Sequence, residues 1–532
     1  MMSARQAGAP IVERDFTEAM RQGGDKRLAE RFDPMNAGGP FRADRVQCRI
    51  YPRFAFFFDG TGNNRELDTP LNRLSNVAKL FNAAVNDGSK VNVLARYISG
   101  VGTPFRIPNR VPGYTDFPDD VGGSAGLGFG SGGNMRIDFA IGEFARLLEL
   151  EMGLSALPHI QYISLSVFGF SRGATAARTF VRRLIEQRCE RTDKGLVWRA
   201  KDGSKVPLQL TFMGLFDTVA SVGVPGWHMS WGAKLAIPSE VQRCVHCVSA
   251  HEVRQAFPLD SVRVDRSYPS NCEEVVYPGV HSDVGGGYAP DEQGRSNLLS
   301  RIPLRHMYVE ALRAGVALML PSSLTDDRQP DYTLASDDPL VSLYEQYMSS
   351  LPSEGGELES LIHAHRRPLI RWRAALAKTQ RDHRVLGRLY GQVNPEMCRA
   401  VPAATDRDHP ACPPKAWTYA IPQDPDTAAK QLLGEQRRLV QHIDFLRNPV
   451  TTGRDWPPPA LTDYEMQLLQ WWDADTPVLP AVDALLAEHV HDSVAAFTQW
   501  PCALYDPRRV FCDDEKYYAD IQDADARVAM AT

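Results

Sequence analysis

The pentapeptide Gly169-Phe170-Ser171-Arg172-Gly173 constrains this chain more than any other stretch. It lies where the apolar run Ile160 to Phe168 stops and an amphipathic helical pattern begins. A serine with a glycine two residues away on each side, at a strand-to-helix corner, displays a nucleophile above an α/β sheet. The reason is steric. The corner is so tight that the serine takes a strained backbone conformation, and side chains at the glycine positions would collide with neighbouring chain. The helix begins beneath the serine, so its dipole and free N–H groups favour the negative charge that develops in acyl transfer. The flanks agree with this reading. Ile163, Leu165, Val167 and Phe168 read as a buried strand, and Ala174, Ala177, Val181 and Leu184 recur at helical spacing.

The bulk properties describe a soluble globular chain: 532 residues, 43% hydrophobic and 23% charged. A net charge of −6 argues against a general nucleic-acid binder and gives no attraction to anionic membranes. The N-terminus, MMSARQAGAPIVERDF, lacks the apolar core of a secretory signal, and Gly315 to Leu320 is far too short to span a bilayer. If such a chain acts on lipid it must do so from the surface, and if it leaves the cell it needs a route without a cleaved signal. Nine cysteines, an odd number, argue against a complete disulfide framework. Cys244-Val-His-Cys247, near His251, reads as structural thiols rather than zinc ligands, with Val245 and Val248 on one side of a helix.

Residues 1–50 are polar and weakly periodic and read as an N-terminal arm. From 51 to 290 strand and helix signals alternate. Phe54 to Phe58, Val93 to Ile98, Leu208 to Phe216 and Glu274 to Val280 are strands. Leu74, Val77, Leu80 and Phe81 mark one helix face, and Ile137, Ile141, Phe144 and Leu148 another. The expected fold class is α/β: an α/β-hydrolase-like, mostly parallel sheet whose active groups gather at the carboxyl ends of its strands. Thr103 to Asn134, rich in Gly and Pro, reads as a flap of the site or a surface loop, since no Gly-Lys-Ser/Thr follows the run Gly122 to Gly133. Residues 291–532 read as an additional C-terminal helical module, a cap facing membrane or partner. Its helices run from Leu298 to Leu320, Leu358 to Leu376 and Ala428 to Leu446, with proline-rich breaks at 402–425 and 456–459. Tyr464, Met466, Leu468, Leu469, Trp471 and Trp472 suit either a core helix or a lipid-facing patch.

A serine nucleophile needs a base and an acid that orients the base. The order Ser, Asp, His is met by Ser171, Asp217 and His281. Asp217 ends the apolar run Leu215-Phe216, and His281 follows Tyr277-Pro-Gly-Val280 and precedes a glycine run. The turn Asp59-Gly60-Thr61-Gly62 after the first strand brings backbone near the nucleophile. An N–H of Gly60 or Thr61 with that of Arg172 would form an oxyanion hole, and Asp59 can brace the loop by accepting spare N–H groups. Gly169, Gly173, Asp59 and Asp283 support the motifs. His491, in Val490-His-Asp-Ser-Val-Ala495, is the alternative base. No cofactor is expected; a calcium ion held by Asp59, Asp217 and Asp283 is the alternative.

FFDGTGNN, GFSRGA, LFDTVASVG and HSDVGGGY, in this order, with HEVRQAFPLDSV between the last two, resemble the type VI secretion lipase effectors of an uncharacterised α/β-hydrolase class. The resemblance spans about residues 53–290. It implies Ser171 as nucleophile, Asp217 as orienting acid and His281 as base. It further implies phospholipase A activity on bacterial glycerophospholipids, delivery on a secretion spike protein, and neutralisation by a cognate immunity protein. Two other readings stand beside it: a carboxylesterase with no membrane role, and a secretion-associated interaction module with an inert core.

Overall fold

The computed structural model describes residues 4–32, 49–86, 92–105, 132–351, 356–386, 425–449, 460–495 and 504–513, except 152, 154–158, 223, 229, 383–384 and 505. The strands, in chain order, are β1 (Ala4–Gln6), β2 (Arg53–Phe58), β3 (Val93–Ile98), β4 (Ile163–Phe170), β5 (Cys189–Thr192), β6 (Gly195–Arg199) and β7 (Lys205–Phe216). They continue with β8 (Ser221–Val222), β9 (Val224–His228), β10 (Cys244–Ser249), β11 (Leu259–Val264), β12 (Cys272–Tyr277) and β13 (Val510–Asp513). The central sheet runs β1-β12-β10-β7-β4-β2-β3, each neighbouring pair parallel. The antiparallel β5–β6 ribbon extends it beside β7. This is the α/β architecture expected from the alternation of strand and helix signals.

Side chains alternate between two buried layers. Phe54, Phe56 and Phe58 pack with Phe144 and Phe180 of the helices Gly133–Arg146 and Arg172–Arg188. Ala55 and Phe57 face the other layer, with Leu80 and Leu312. On β7 the alternation changes parity: Leu208 and Leu210 share a layer with Met213 and Leu215. The cause is a register shift against β4, where Leu165 pairs with Leu210 but Ser166 with Phe212. The displaced Thr211 Oγ1 lies 2.9 Å from Ser166 Oγ and donates to Leu165 O at 3.2 Å.

Because these strands are parallel, their carboxyl ends lie at one edge of the sheet. Asp59, Ser171 and Asp217 each directly follow such an end, at Phe58, Phe170 and Phe216. His281 lies just beyond the end of β12, at the start of a short helix, His281–Gly285.

Two local expectations are corrected. The N-terminal residues include β1, an edge strand paired with β12, and the helix Glu13–Phe32, whose Phe16 ring meets Tyr308 edge-on at 5.3 Å. Cys244 and Cys247 lie on strand β10, not on a helix. Every residue of β10 is buried, so its apolar run carries no alternation by which to tell the two apart. Cys189, Cys244, Cys247 and Cys272 are buried free thiols. Most of the Gly/Pro-rich segment before residue 132, residues 402–424 of the first proline-rich break and the whole of the second lie outside the described residues.

Beyond residue 300 the helices are Arg301–Arg313, Pro339–Ser349, Leu358–Lys378, Pro425–Arg447, Asp463–Asp473 and Pro480–Glu488. Their apolar faces continue the core of the sheet: Ile370, Leu439, Leu468 and Leu485 belong to one buried cluster with Phe57 and Phe168. On the helix Asp463–Asp473, Leu468 and Trp472 are buried while Met466 is 50% exposed. Among the described residues no helix is long and apolar enough to cross a membrane.

Candidate active site

Ser171 sits at the corner between β4 and the helix Arg172–Arg188 with φ 56° and ψ −128°, a strained conformation for a residue with a side chain. Backbone bonds hold it there. Ser171 N donates to Phe216 O at 3.0 Å, and Ala174 N donates to Ser171 O at 3.0 Å. The two motif glycines are required by space. A Cβ on Gly169 would lie 2.5 Å from Ala174 Cα, and one on Gly173 would lie 2.2 Å from Asp59 O. The Gly173 contact shows how closely the helix start presses on the end of β2.

Asp217, wholly buried with φ 40°, follows β7. Its Oδ2 lies 2.6 Å from His281 Nδ1 and accepts Ser249 Oγ–H at 2.9 Å; its Oδ1 accepts Ser249 N–H at 2.9 Å. Arg508 closes the carboxylate from behind as a two-pronged donor, Nη1 to Oδ1 at 2.8 Å and Nη2 to Oδ2 at 2.9 Å. Burial by itself would raise the Asp217 pKa; the charge of Arg508 and the bond from His281 outweigh it and hold the group well below the usual carboxylate range. For His281 burial dominates and lowers the pKa, with Asp217 opposing it in part. The two directions agree on an ionised Asp217 beside a neutral imidazole, with the proton on Nδ1 and Nε2 left as a base.

His281 is wedged between rings, 4.6 Å from Phe170 and 5.1 Å from Phe257 between centroids. Phe170 is the residue before Ser171, so this contact brings the Asp217–His281 pair against the corner that carries the serine. The His281 N–H donates to Glu252 Oε2 at 3.3 Å. Burial would raise the Glu252 pKa, but Arg254 above all takes it down to about 2.

Asp59 braces the opposite loop. Its Oδ1 accepts Gly60 N–H at 2.7 Å and Ser75 Oγ–H at 2.5 Å, and its Oδ2 accepts Tyr97 O–H at 2.5 Å. Burial pushes its pKa up to about 6 against these bonds. The expectation for Gly60 is therefore corrected: its N–H is engaged by Asp59 and is not presented to an oxyanion. Thr61 and Arg172 are joined instead, Arg172 Nε donating to Thr61 Oγ1 at 2.7 Å. Burial lowers the Arg172 pKa to about 10.

Asp283, two residues past His281, accepts Val280 N–H and His491 N–H on Oδ2, each at 3.0 Å. His491 Nδ1 lies 2.6 Å from its Oδ1, and the His491 ring stacks on Tyr288 at 3.9 Å. His491 thus pairs with its own carboxylate and not with Asp217. Asp59, Asp217 and Asp283 each serve a separate set of partners. Among the described residues no group of three or more His, Cys, Asp or Glu is arranged to hold a metal ion.

Sequence reasoning missed Arg508, Ser249 and Glu252. Arg508 stands far from any motif. Ser249 ends β10, whose Val245 and Val248 fit a helix face, and Glu252 lies just past it, within HEVRQAFPLDSV, so the strand end that presents them carries no signal of its own.

Residues 186–310 match the family model described as T6SS, Phospholipase effector Tle1-like, catalytic domain. The matched segment is Tle1-like. It contains Asp217 and His281 and begins after Ser171. This is the effector family that the sequence motifs resemble. No curated protein matches the chain. Among solved structures, an uncharacterized protein from Pseudomonas aeruginosa is similar over 96% of this chain and 85% of its own, at 24% identity and a TM-score of 0.67. That likeness extends through the C-terminal helices as well as the Tle1-like segment, and it concerns the fold. The Tle1 effector solved bound to the VgrG spike of the Type 6 secretion system is 19% identical, with 60% of this chain and 84% of that one covered and a TM-score of 0.38.

Proposed function

We propose that this chain is a serine-dependent phospholipase A that hydrolyses acyl esters of bacterial membrane glycerophospholipids as a type VI secretion effector. The observation that carries the reading is the 2.6 Å pair of Asp217 and His281, held by its ring contact with Phe170 beside the strained Ser171 corner. The family match supports the substrate class and the effector role. The exposed Met466 and Leu479, at 50% and 54%, offer apolar contact to a lipid interface.

In this mechanism Ser171 Oγ attacks the ester carbonyl as its proton passes to His281 Nε2. The Nδ1–H stays on Asp217, which orients the ring and stabilises the imidazolium. The oxyanion is held by the Arg172 and Thr61 N–H groups, from the two loops that the Arg172–Thr61 side-chain bond ties together. His281 then gives its proton to the departing glycerol oxygen. Water, deprotonated by the same imidazole, releases the fatty acid and restores Ser171. No metal is used. Delivery would be on a spike protein, with action in the periplasm of the target cell and neutralisation by an immunity protein.

The test is mass analysis of lipids after incubating phosphatidylethanolamine and phosphatidylglycerol vesicles with the wild type and with Ser171→Ala. The wild type should release free fatty acid and lysophospholipid, and the variant should release none while keeping its fold. Release by Ser171→Ala would overturn the reading. Turnover of short-chain esters without any on vesicles would favour the carboxylesterase.

A further inference from the structure

The C-terminal segment 506–513 reaches back to the stretch between β10 and β11 and to the acid of the site. Asp506 accepts Gln255 Nε2–H at 2.8 Å, Leu259 N–H donates to Arg509 O at 2.9 Å, and β13 pairs in parallel with β11. Arg508 is the inward-pointing member of this strap, its side chain 1% exposed against a carboxylate at 0%. Besides gripping both Asp217 oxygens, its guanidinium donates to Ser249 O at 3.0 Å and to Phe257 O at 3.0 Å. Those partners matter. Ser249 donates twice to the same carboxylate, and Phe257 packs on the His281 ring. One side chain therefore fixes the acid, the serine that bonds it and the backbone of a ring that walls the base.

We propose that Arg508 is a positioning residue for the Asp217–His281 pair, so that hydrolysis requires the C-terminal strap to be docked. The proposal rests on the serine-hydrolase reading above and adds to it a part of the site that lies 291 residues after Asp217. Without the guanidinium the buried carboxylate would keep only the neutral donors of Ser249 beside the imidazole, and could draw the imidazole proton onto itself. A guanidinium fork on the far side holds the plane of the carboxylate and keeps it ionised, leaving His281 Nε2 as the proton acceptor. An earlier part of the same C-terminal region touches the other half of the pair. Ser493 Oγ donates to Glu252 at 2.9 Å, and Glu252 accepts the His281 N–H. The charged groups facing the pair are thus Arg508 from the strap and Glu252 and Arg254 from the loop after β10, with Asp283 two residues along the His281 helix.

The experiment uses the full chain with Arg508→Gln and Arg508→Lys. The His281 imidazole is titrated by NMR with ring-labelled histidine, its signal assigned from His281→Asn, and kcat and KM on phospholipid vesicles are measured against pH. Arg508→Gln should lower kcat roughly 10- to 100-fold with KM within about threefold of wild type. Its His281 titration and the acidic limb of kcat/KM should both move to higher pH, because a positive charge has been removed from beside the pair. Arg508→Lys, which keeps the charge without the fork, should restore the titration and part of kcat. A folded Arg508→Gln with wild-type kcat and wild-type His281 titration overturns the proposal. If Arg508→Gln does not fold, Arg508→Lys decides, since wild-type kcat in that variant also overturns it. Should the wild type release no fatty acid, or Ser171→Ala release it, the hydrolase reading fails, and the His281 titration still shows whether Arg508 sets the pair.

Discussion

His491 Nδ1 lies 2.6 Å from Asp283 Oδ1, the same separation that joins His281 to Asp217. Two acid–imidazole pairs thus stand close together, and their surroundings distinguish them. His491 is flat against Tyr288, with its own N–H spent on Asp283, and its side chain is 0% exposed. His281 is against the residue that precedes the serine. We expect His281→Ala to lower kcat by about 10⁴-fold or more with the fold intact. His491→Ala should instead strand a buried carboxylate and cost roughly 3–5 kcal/mol of stability, with the kcat of the folded protein within about tenfold of wild type. Steady-state kinetics beside chemical denaturation separate the two; a stable but inactive His491→Ala would make His491 the base.

The pH dependence of activity and of stability should separate in the same way. Burial takes the His281 pKa below its ordinary value of 6.5, so the neutral base persists into mild acid. We expect kcat/KM to reach half its plateau at a pH below 6.5. For stability, a folded pKa below the unfolded one means a contribution that is present above the unfolded pKa and lost as pH falls through the folded one. For His281 that loss begins below about 6.5. For Asp217, held well below the carboxylate range, it begins only below about 3.9. A pH–rate profile measured with circular dichroism at each pH should show the activity limb while the fold is still complete. A half-plateau above pH 6.5 would contradict the neutral resting imidazole.

What was legible in the sequence follows from how locally each feature is encoded. The serine corner needs only its own flanks: an apolar run, two glycines and a helical face. Asp217 and His281 could be found because each ends or closely follows a strand with its own pattern. Arg508 could not, because nothing near it in the chain records that its fork meets Asp217. β10 was hidden by its burial, since Val245 and Val248 fit a helix face equally well. β1 is three residues long, and its Arg5 and Gln6 are made acceptable only by distant partners, Glu273 at 2.5 Å and Leu361 O at 3.0 Å. The Gly60 donor was misjudged for the opposite reason. The bond that occupies it comes from its immediate neighbour, whose carboxylate folds back on the turn.

The tight contact under the serine yields a stability prediction. A Cβ on Gly173 would meet Asp59 O at 2.2 Å and Phe58 O at 2.4 Å, backbone atoms of a central strand end that cannot step aside. We expect Gly173→Ala to destabilise by roughly 1–3 kcal/mol or more and to displace the loop braced by Asp59. Gly8, where an added Cβ would have nothing within 4 Å, is the control, and Gly8→Ala should stay within about 0.5 kcal/mol of wild type. Urea unfolding of both variants is the measurement. Equal stabilities would mean that the helix start can move away from β2.

A chain of buried hydrogen bonds ties the turn before His281 to the N-terminal strand, and its directions are fixed link by link. Gly279 N–H donates to His251 Nδ1 at 3.0 Å, so His251 carries its proton on Nε2 and donates it to Tyr347 Oη at 3.0 Å. The Tyr347 hydroxyl then donates to His365 Nδ1 at 3.0 Å, and His365 Nε2–H to Gln6 Oε1 at 2.7 Å. The chain needs both imidazoles neutral. Burial supplies that condition, taking His251 to about 4 and His365 well below its ordinary value. Tyr347→Phe removes the central hydroxyl and strands a buried donor on His251 and a buried acceptor on His365. The expected cost is roughly 1–3 kcal/mol. Hydrogen exchange should locate the loosening at β1 and at the Gly279 N–H, the two ends of the chain. Protection unchanged at both ends, with stability equal to wild type, would mean that the imidazoles find other partners and that β1 is held by its pairing with β12 alone.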